Sequence, residues 1–540
     1  MKHEEPHSNH GLSPEKKNSI RALRYEIYKS DIPMKPLPSL LPDDESNRVL
    51  MSRVHPTDWQ NPEPVDRYNL LVIGAGTAGL VAAAGAAGLG AKVALVERGL
   101  MGGDCLNWGC VPSKAILRSS RIATLWVEAE LFGFKALQPL EADFPRVMER
   151  MRRLRARLAA HDSAARFRDL GVDVFLGHAR FTGSHSAEVE GRSLRFRKAV
   201  IATGAKPVIP PIPGLVESGC LTNETIFQLT KLPRRLLVIG GGPIGCELAQ
   251  AFRRLGSELT LVEMGAQILP REDEDVSSLM QAVLQREGID LRLRSTVQRV
   301  TSGPNEEQVR LLQDGNEAII TVDAILAAAG RAPNVLDLNL EAAGVAYDER
   351  AGIHVDRALR TTNPDIYAAG DVCLKYQFTH AADAAARLVI RNALFPGHTQ
   401  ADSLIIPWCT YTDPEIAHAG VGEAEARRRD IPFDVYKRTF DSVDRAILDG
   451  EEIGFIKILT PKGRDRILGA IIVARHAGEM LNEITLAMNQ GIGLGKLSHV
   501  IHPYPTQAAA IRQCADDYNR TRVTPWRKKI LQTWFHWRRE

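Results

Sequence analysis

The stretch NLLVIGAGTAG, residues 69–79, decides the fold, because an apolar run passes directly into a glycine-rich turn. Residues 69–73 predict a buried strand, and the alanine-rich segment that continues to about Leu89 predicts a helix. Residues 92–96, KVALV, predict the next strand, and Glu97 follows it. The order of strand, glycine turn, helix and strand indicates a parallel α/β sheet.

The same unit occurs a second time further along the chain. Residues 236–239, a glycine turn and a helix from about Ile244 to Leu255 precede the predicted strand 258–262. Gly74 precedes Glu97, and Gly240 precedes Glu263, by the same 23 residues. One glycine-rich turn is weak evidence, but two copies with an acidic residue at the same offset predict two dinucleotide sites. Tight turns that bind nothing are the alternative interpretation.

The glycines of the first turn suit a dinucleotide in different ways. Gly74 permits the tight turn, Gly76 lets the backbone approach a pyrophosphate, and Gly79 lets the helix pack on the strand. The diphosphate would lie at the helix N-terminus, where free N–H groups and the helix dipole favour anions. Glu97 would accept hydrogen bonds from a ribose.

The second turn repeats these positions. The corresponding residues are Gly240, Gly242, Gly245 and Glu263. A carboxylate at Glu263 repels the 2′-phosphate of NADPH, and no Lys or Arg follows until Arg271. We therefore expect NADH at this site, with NADPH less favoured.

Two cysteines lie five residues apart in GGDCLNWGCVPSK, residues 102–114. A regular helix would separate the Cα atoms of Cys105 and Cys110 by roughly 8–9 Å, beyond the ~7 Å limit for a disulfide. A bond between them therefore needs non-helical backbone, which Gly109 permits. Pro112 suits the first turn of a helix that begins there, so Cys110 would face a helix N-terminus, which favours a thiolate. Two inert core cysteines are the alternative.

Composition narrows the class of protein. The 540 residues predict about three or four domains, and the net charge of +3 argues against nucleic acid as the main partner. Seven cysteines are too few for a disulfide-stapled secreted scaffold. The N-terminus lacks the apolar core of a secretory signal, and the uncharged stretch 71–91 is better explained as a strand, turn and helix. We expect a cytoplasmic protein.

These motifs together resemble the flavoprotein disulfide reductases with two dinucleotide sites. CLNWGCVPSK resembles the family's active-site segment, and further matches follow in order along residues 68–515. They are Ala202-Thr203-Gly204, GGGPIGCELA at 240–249, GRAPN at 330–334, YAAGDV at 367–372 and TDPEI at 412–416.

The resemblance implies an α/β fold with two Rossmann-like domains and a C-terminal α+β dimerisation domain. The FAD-binding domain would be discontinuous, comprising residues 68–215 and 330–404, on either side of an NAD(P)H-binding domain at 216–329. Residues 405–515 would form the dimerisation domain of a homodimer. Residues 1–67, which hold nine of the 30 prolines, predict a flexible extension, and residues 516–540 a basic aromatic tail.

The resemblance also implies roles for individual residues. Electrons would pass from NADH through FAD to a disulfide between Cys105 and Cys110, leaving Cys110 as the charge-transfer thiolate and Cys105 as the interchange thiol. Lys114 would lie near the flavin and pair with Glu247. The implied FAD-binding residues are Gly74, Gly76, Gly79, Glu97, Gly103, Lys114, Thr203, Gly204, Gly330 and Asp371. Pro243 replaces the gating tyrosine of many members.

The C-terminal segment departs from the pattern of members that reduce organic disulfides. Those members carry a histidine and a glutamate there, whereas in HPYPTQAA, residues 502–509, Tyr504 and Ala509 take these positions. Loss of such an acid–base group usually costs roughly 10²–10⁴-fold in rate, so lipoamide or glutathione turnover should be poor. His502 has the wrong offset and is expected to be structural.

Mercuric reductases also lack that histidine, which makes this chain mercuric reductase-like, with Tyr504 as a candidate catalytic residue. They usually carry paired C-terminal cysteines, however, and this chain has Cys514 alone in that region. The physiological small-molecule electron acceptor therefore stays open, and no set of metal ligands is assigned. The alternatives are a dihydrolipoamide dehydrogenase-type activity, an NADH oxidase or diaphorase, and a non-enzymatic flavin-binding scaffold.

The last 21 residues, 520–540, carry seven Lys or Arg against one Glu, with three tryptophans among them. Such a segment predicts a weak contact with an anionic membrane surface, which would make the protein membrane-peripheral. A solvated tail that folds over its own domain is the alternative.

Overall fold

The computed structural model describes residues 40–135, 141–304, 306–397 and 399–539. The strands of this part of the chain are β1 (Tyr68–Ile73), β2 (Val93–Glu97), β3 (Val172–Leu176), β4 (Ala179–Gly183), β5 (Ser186–Val189), β6 (Arg192–Ile201), β7 (Ala205–Pro207), β8 (Arg235–Ile239), β9 (Glu258–Val262), β10 (Asp290–Arg292), β11 (Ser295–Ser302), β12 (Glu307–Gln313), β13 (Asn316–Val322), β14 (Ala324–Ala327), β15 (Arg331–Pro333), β16 (Tyr347–Asp348), β17 (Gly352–Ile353), β18 (Ile366–Ala368), β19 (Trp408–Thr410), β20 (Glu415–Gly420), β21 (Phe433–Thr439), β22 (Phe455–Pro461) and β23 (Gly469–Ala474). The helices are α1 (Glu45–Val54), α2 (Thr77–Gly88), α3 (Gly103–Asn107), α4 (Cys110–Glu128), α5 (Phe144–Leu158), α6 (Ala164–Asp169), α7 (Pro243–Arg254), α8 (Glu274–Arg286), α9 (Thr379–Leu394), α10 (Glu423–Arg428), α11 (Asp444–Asp449), α12 (Ala477–Asn489), α13 (Leu494–Leu497), α14 (Ala509–Thr521) and α15 (Pro525–Trp537).

The first sheet has seven strands, with β3, β2, β1, β6, β5 and β4 in that order and β18 paired with β6. Strand β1 is apolar on both faces and pairs in parallel with β2 and β6, as expected of a strand covered on both sides. Because β18 also pairs in parallel with β6, the chain returns to this sheet after residue 330. The carboxyl ends of β1, β6 and β18, which come from three distant parts of the sequence, therefore lie at the same edge of the sheet.

The second sheet repeats the parallel arrangement in the order β10, β9, β8 and β14. Its first two sequential strands, β8 and β9, are joined through helix α7, just as β1 and β2 are joined through α2. A third sheet, in the order β19, β20, β23, β22 and β21, is antiparallel throughout. The predicted two Rossmann-like units and a C-terminal α+β unit are confirmed.

The segment before β1 differs from the prediction of a flexible extension. Residues 1–39 of that extension lie outside the described residues, but residues 42–67 cluster with the rest of the chain. Asp44 caps helix α1, whose Leu50 and Val54 are fully buried. The amide of Asn61 bonds to both the N–H and the carbonyl of Leu176 at the end of edge strand β3. The buried apolar face of α1 and the hydrogen bonds of Asn61 therefore attach residues that the high proline content predicts to be flexible.

The C-terminal region also differs from the predicted tail. The expected boundary at residue 515 falls inside α14, which continues to Thr521. Beyond that boundary, Tyr518 is buried and packs edge-on against Tyr436 at a centroid distance of 5.5 Å. Helix α15 follows, capped by Thr524, and exposes its tryptophans. No helix in the described parts of the chain is long and apolar enough to cross a lipid bilayer.

Candidate active site

At two positions of the first glycine turn, neighbouring backbone lies too close for any side chain to fit. Gly74 has a φ of +102°, and a Cβ there would lie 2.4 Å from the carbonyl oxygen of Ala202. A Cβ at Gly79 would lie 1.7 Å from the carbonyl oxygen of Gly74. The nearest atom to a Cβ at Gly76 would be the Cα of Gly103, at 3.8 Å. The turn is therefore packed against Ala202, at the end of β6, and against its own backbone, whereas Gly76 has more space and lets a diphosphate approach.

Glu97 is held at the end of β2 by the same turn. Its Oε2 accepts a hydrogen bond from Ala75 N at 2.6 Å, and its Oε1 accepts one from Gly99 N at 2.7 Å. Burial raises the pKa of Glu97, which the two backbone N–H groups oppose. Each carboxylate oxygen retains a second lone pair, so the group can still accept hydrogen bonds from ribose hydroxyls.

The second turn reproduces this geometry. Gly240 has a φ of +112°, and a Cβ there would lie 2.5 Å from Ala328 O. A Cβ at Gly245 would lie 2.0 Å from Gly240 O. The Glu263 carboxylate accepts hydrogen bonds from the backbone N–H groups of residues 241 and 265, both at 2.7 Å. Glu97 and Glu263, which occupy equivalent positions in the two repeats, thus accept equivalent pairs of backbone hydrogen bonds.

Three segments meet beside the first turn. The Thr203 hydroxyl donates to Asn334 O at 2.7 Å, and Asn334 N donates to Gly204 O at 2.9 Å. The next residue after Gly330 is Arg331, whose guanidinium donates to Asp104 at 3.1 Å and lies 3.7 Å from Asp371. Gly330 itself accepts a hydrogen bond from Val208 N at 3.0 Å. Sequence reasoning missed Arg331, because its partners are more than 200 and about 40 residues away.

These residues fit the flavin nucleotide. Burial raises the pKa of Asp371, and the charge of Arg331 opposes that rise. The Nε of Arg331 is buried and lacks a hydrogen-bond partner in the described chain. A carboxylate and a buried N–H donor beside an open glycine turn are suited to the hydroxyl and phosphate groups of a dinucleotide.

The cysteine segment has the predicted break between two helices. Helix α3 ends at Asn107 and α4 begins at Cys110, with Gly109 at φ −129° and ψ −111° between them. Both cysteines are thiols here and are hydrogen-bonded to each other. Cys110 is the first residue of the 19-residue helix α4, and its sulfur lies 3.3 Å from the Thr379 hydroxyl at the start of α9.

The two thiols have opposite electrostatic environments. The hydrogen bond from Cys105 lowers the pKa of Cys110 to about 6, against the effect of burial and with the help of Lys114 and Thr379. That same bond, together with burial, raises the pKa of Cys105 far above its ordinary value. The proton of the pair therefore resides on Cys105 and the negative charge on Cys110.

The other five cysteines behave differently. Burial raises the pKa of each one: Cys220, Cys246, Cys373, Cys409 and Cys514. A thiol with a raised pKa is a poor nucleophile near neutral pH. Cys110 is therefore the thiol in this chain with the strongest thiolate character.

Lys114 and Glu247 form the predicted ion pair, at 2.8 Å between Nζ and Oε2. The other oxygen of Glu247 accepts a hydrogen bond from Tyr411 N at 2.8 Å, and Lys114 Nζ lies 4.5 Å from the centre of the Tyr411 ring. Burial alone would lower the pKa of Lys114, but the charges of Glu247 and Cys110 outweigh it and raise the pKa. Lys114 thus stays positive one helical turn from Cys110. Tyr411 was missed, because nothing near it in the sequence indicates this contact.

The C-terminal segment lies apart from these groups within one chain. Tyr504 is 80% exposed, and its hydroxyl donates to Asp444 at 3.0 Å and to neither cysteine. The His502 side chain is 5% exposed and pairs with Glu483 on α12 at 3.1 Å. The structural role predicted for His502 agrees with this buried pair.

Residues 68–386 match the family described as pyridine nucleotide-disulphide oxidoreductase, and residues 406–515 match its dimerisation domain. The chain belongs to this family. The oxidoreductase is 34% identical over 450 residues to a mercuric reductase of Lysinibacillus sphaericus, a match that covers 83% of this chain and 82% of the relative. It is 35% identical over 455 residues to a dihydrolipoyl dehydrogenase of Thermus scotoductus, covering 83% and 97%.

Solved structures show the same relationship. The HOCl-induced flavoprotein disulfide reductase RclA from Escherichia coli superposes with a TM-score of 0.74 at 30% identity, covering 83% of this chain and 99% of RclA. The Cu(II) complex of RclA also superposes with a TM-score of 0.74. The oxidoreductase is therefore an FAD-containing, NAD(P)H-dependent flavoprotein disulfide oxidoreductase, which confirms the predicted fold, enzyme class and cofactors.

Proposed function

We propose that Cys105 and Cys110 are the redox-active pair and pass two electrons from NADH to a soft metal ion presented as a thiolate complex. The asymmetry of the two thiols carries this proposal. Bound FAD supplies the two-electron carrier between the nicotinamide and the cysteines. Opening the Cys105–Cys110 bond takes up two electrons and one proton, and yields a thiol on Cys105 and a thiolate on Cys110.

The residues around the pair support each part of that change. Lys114 and the N-terminus of α4 stabilise negative charge on Cys110, and Thr379 donates a hydrogen bond to it. Cys105 keeps its proton and is the thiol free to exchange with an acceptor. We assign Glu247 the role of holding Lys114 in place.

The two glycine turns supply the nucleotide sites of this proposal. We assign FAD to the first, with Gly74, Gly76, Gly79, Glu97, Gly103, Lys114, Thr203, Gly204, Gly330 and Asp371 around it. We assign NADH to the second, with Gly240, Gly242, Gly245 and Glu263. The preference for NADH over NADPH rests on the Glu263 carboxylate, which would repel a 2′-phosphate.

The C-terminal segment supports a metal complex as the acceptor. Protonating a leaving organic thiolate needs an acid near pH 7, yet Tyr504 and Ala509 stand where such a histidine and glutamate are expected. His502 is not free for that task, because it is buried against Glu483. A thiophilic metal ion needs thiolate ligands and no proton donor. Relatives named mercuric reductase, and a solved relative in complex with Cu(II), support this class of acceptor.

One assay set separates the candidate acceptors. The holoenzyme is given NADH anaerobically with a mercuric thiolate complex, with lipoamide or with glutathione disulfide, and NADH oxidation is followed. We expect the metal complex to be the best acceptor and Cys105→Ser to abolish its reduction. Fast lipoamide turnover would point to the dihydrolipoamide dehydrogenase-type activity. In a separate aerated sample, NADH oxidation by oxygen that survives in Cys105→Ser would point to an oxidase or diaphorase.

The match to the dimerisation domain and an apolar surface together support a homodimer. The exposed side chains of Leu125, Phe132 and Leu448 line a cleft of about 570 Å³, together with charged groups such as Arg445. Val127 and Leu131, which are neighbours of these residues in the sequence, are also exposed. We propose that a second copy covers this surface and that Tyr504 thereby reaches the partner's acceptor site. Sedimentation should show a dimer that Leu131→Asp weakens; a wild-type monomer would contradict it.

Helix α15 supports the proposed membrane-surface contact. Its exposed Trp526, Trp534 and Trp537 lie among Arg527, Lys528 and Lys529, a combination suited to the interface of an anionic bilayer. The enzyme should co-sediment with phosphatidylserine vesicles more than with phosphatidylcholine vesicles, and removal of residues 524–540 should abolish the difference. Equal binding by the truncated enzyme would contradict the contact. The cytoplasmic location stays a prediction.

A further inference from the structure

Residues 42–61 precede the region that matches the family, and they contact both helix α5 and the loop that leads into the cysteine segment. We call residues 42–61 the N-terminal clamp. Its helix α1 contacts α5, and the backbone of Val54 accepts a hydrogen bond from Met101 N at 3.1 Å. The His55 ring lies 2.6 Å from Gly99 O. The clamp thus holds the loop between Glu97 and the cysteine segment.

A second connection runs through a buried arginine. Arg155 on α5 is 1% exposed, and its Nη2 donates to the side-chain oxygen of Asn47 at 2.7 Å. Its Nη1 donates to the backbone oxygen of Asn107 at 2.8 Å. Both of these acceptors are uncharged. Burial lowers the pKa of Arg155 to about 10, which shows how strongly this position disfavours charge. A charge is kept in such a place only where hydrogen bonds compensate for lost water.

Asn107 is the residue through which this connection reaches the cysteines. It is fully buried between Cys105 and Cys110, and its amide donates to Gly103 O at 2.8 Å and Met101 O at 3.1 Å. Both the side chain and the backbone oxygen of Asn107 are therefore fixed. Asn107 is the last residue of α3, so the α3–α4 break lies directly after it.

We propose that the N-terminal clamp, through Asn47 and Arg155, positions Asn107 so that Cys105 and Cys110 stay within bonding distance. The clamp thereby stabilises their disulfide relative to the dithiol. The inference rests on the proposed redox role of the two cysteines. A disulfide requires the two sulfurs to meet, whereas a dithiol tolerates their separation, so a looser segment lowers the effective concentration of one thiol at the other.

The test is a glutathione equilibrium on the full-length protein. Two glutathione molecules reduce the Cys105–Cys110 disulfide to the dithiol and form one glutathione disulfide, so the ratio of the two protein forms gives an equilibrium constant. Asn47→Leu keeps the branched arrangement of heavy atoms but removes the acceptor for Arg155, and Arg155→Met removes the guanidinium. We expect each to shift the equilibrium about tenfold towards the dithiol, equivalent to ~30 mV. Arg155→Lys should restore part of the difference.

The matched control is Arg48→Ala, which removes a cation from the same helix. Arg48 forms an exposed ion pair with Asp43, so the equilibrium should not change. Thermal unfolding shows whether each variant is folded. If Arg155→Met does not fold, the equilibrium constant of Asn47→Leu tests the inference. Folded variants with the wild-type equilibrium constant would overturn the inference. Failure of the proposed function would look different, because the wild type itself would then form no Cys105–Cys110 disulfide.

Discussion

Replacing Thr379 by valine should weaken the thiolate on Cys110 without changing the shape of the site. The Thr379 hydroxyl lies 3.3 Å from the Cys110 sulfur, and valine keeps the volume while removing the hydroxyl. Because that hydroxyl donates to the charged form of the thiol, its loss should raise the pKa of Cys110. The residue is 269 positions from Cys110 in the sequence and stands at the first position of α9.

The size of the change follows from the kind of hydrogen bond. Bonds to charged groups contribute about 1.5–3 kcal/mol, but sulfur is a weak acceptor and this contact is long at 3.3 Å, so we expect ~1 kcal/mol here. One pKa unit corresponds to about 1.4 kcal/mol, which gives a rise of roughly 0.7 units from the wild-type value. The Cys110 pKa of about 6 should therefore approach 7 in Thr379→Val.

The assay is the pH dependence of alkylation by iodoacetamide, with the modified peptide identified by mass spectrometry. Only the thiolate reacts, so the wild-type rate should rise with pH and level off above the pKa. At pH 6 Thr379→Val should react about threefold more slowly, and at pH 8 nearly as fast as the wild type. Thr379→Ser, which keeps the hydroxyl, is the control. An unchanged midpoint in Thr379→Val would refute the assigned hydrogen bond.

Three other substitutions test separate parts of the account. Lys114→Met removes the positive charge beside Cys110, so the alkylation midpoint should rise and the protein should unfold at a lower temperature; an unchanged midpoint would contradict the electrostatic role. Gly79→Ala places a Cβ 1.7 Å from a backbone oxygen and should yield protein without flavin absorbance, whereas Gly88→Ala, with open space around it, should stay yellow. Glu263→Ser should lower the ratio of kcat/KM for NADH to that for NADPH roughly tenfold, the effect of losing ~1.4 kcal/mol of discrimination. A wild-type enzyme that prefers NADPH would contradict the assignment of Glu263.

Features carried by local sequence were predictable. The two turns that start at Gly74 and Gly240 were identified because glycine spacing, strand pattern and a terminal glutamate lie within one short unit. The break between Cys105 and Cys110 follows from helix geometry once the two cysteines are taken to form a disulfide. The Lys114–Glu247 pair was expected only from the family resemblance, since no local pattern relates two residues on different helices.

Features created by tertiary contacts were not predictable. Thr379, Arg331 and Tyr411 reach the site only because segments that are distant in the sequence meet there in the folded chain. The order of residues 42–67 was missed for the same reason: their proline content is a local signal, whereas the burial of Asn47 against Arg155 depends on a partner 108 residues away.

The redox role of Cys105 and Cys110 is tested most directly by counting free thiols before and after reduction by NADH. Oxidised holoenzyme is treated anaerobically with a slight excess of NADH, quenched in denaturant and titrated for free thiols. We expect a gain of two thiols per chain in the wild type and none in Cys105→Ser. A wild-type enzyme that gains no thiol, although its flavin is reduced, would contradict the role of Cys105 and Cys110.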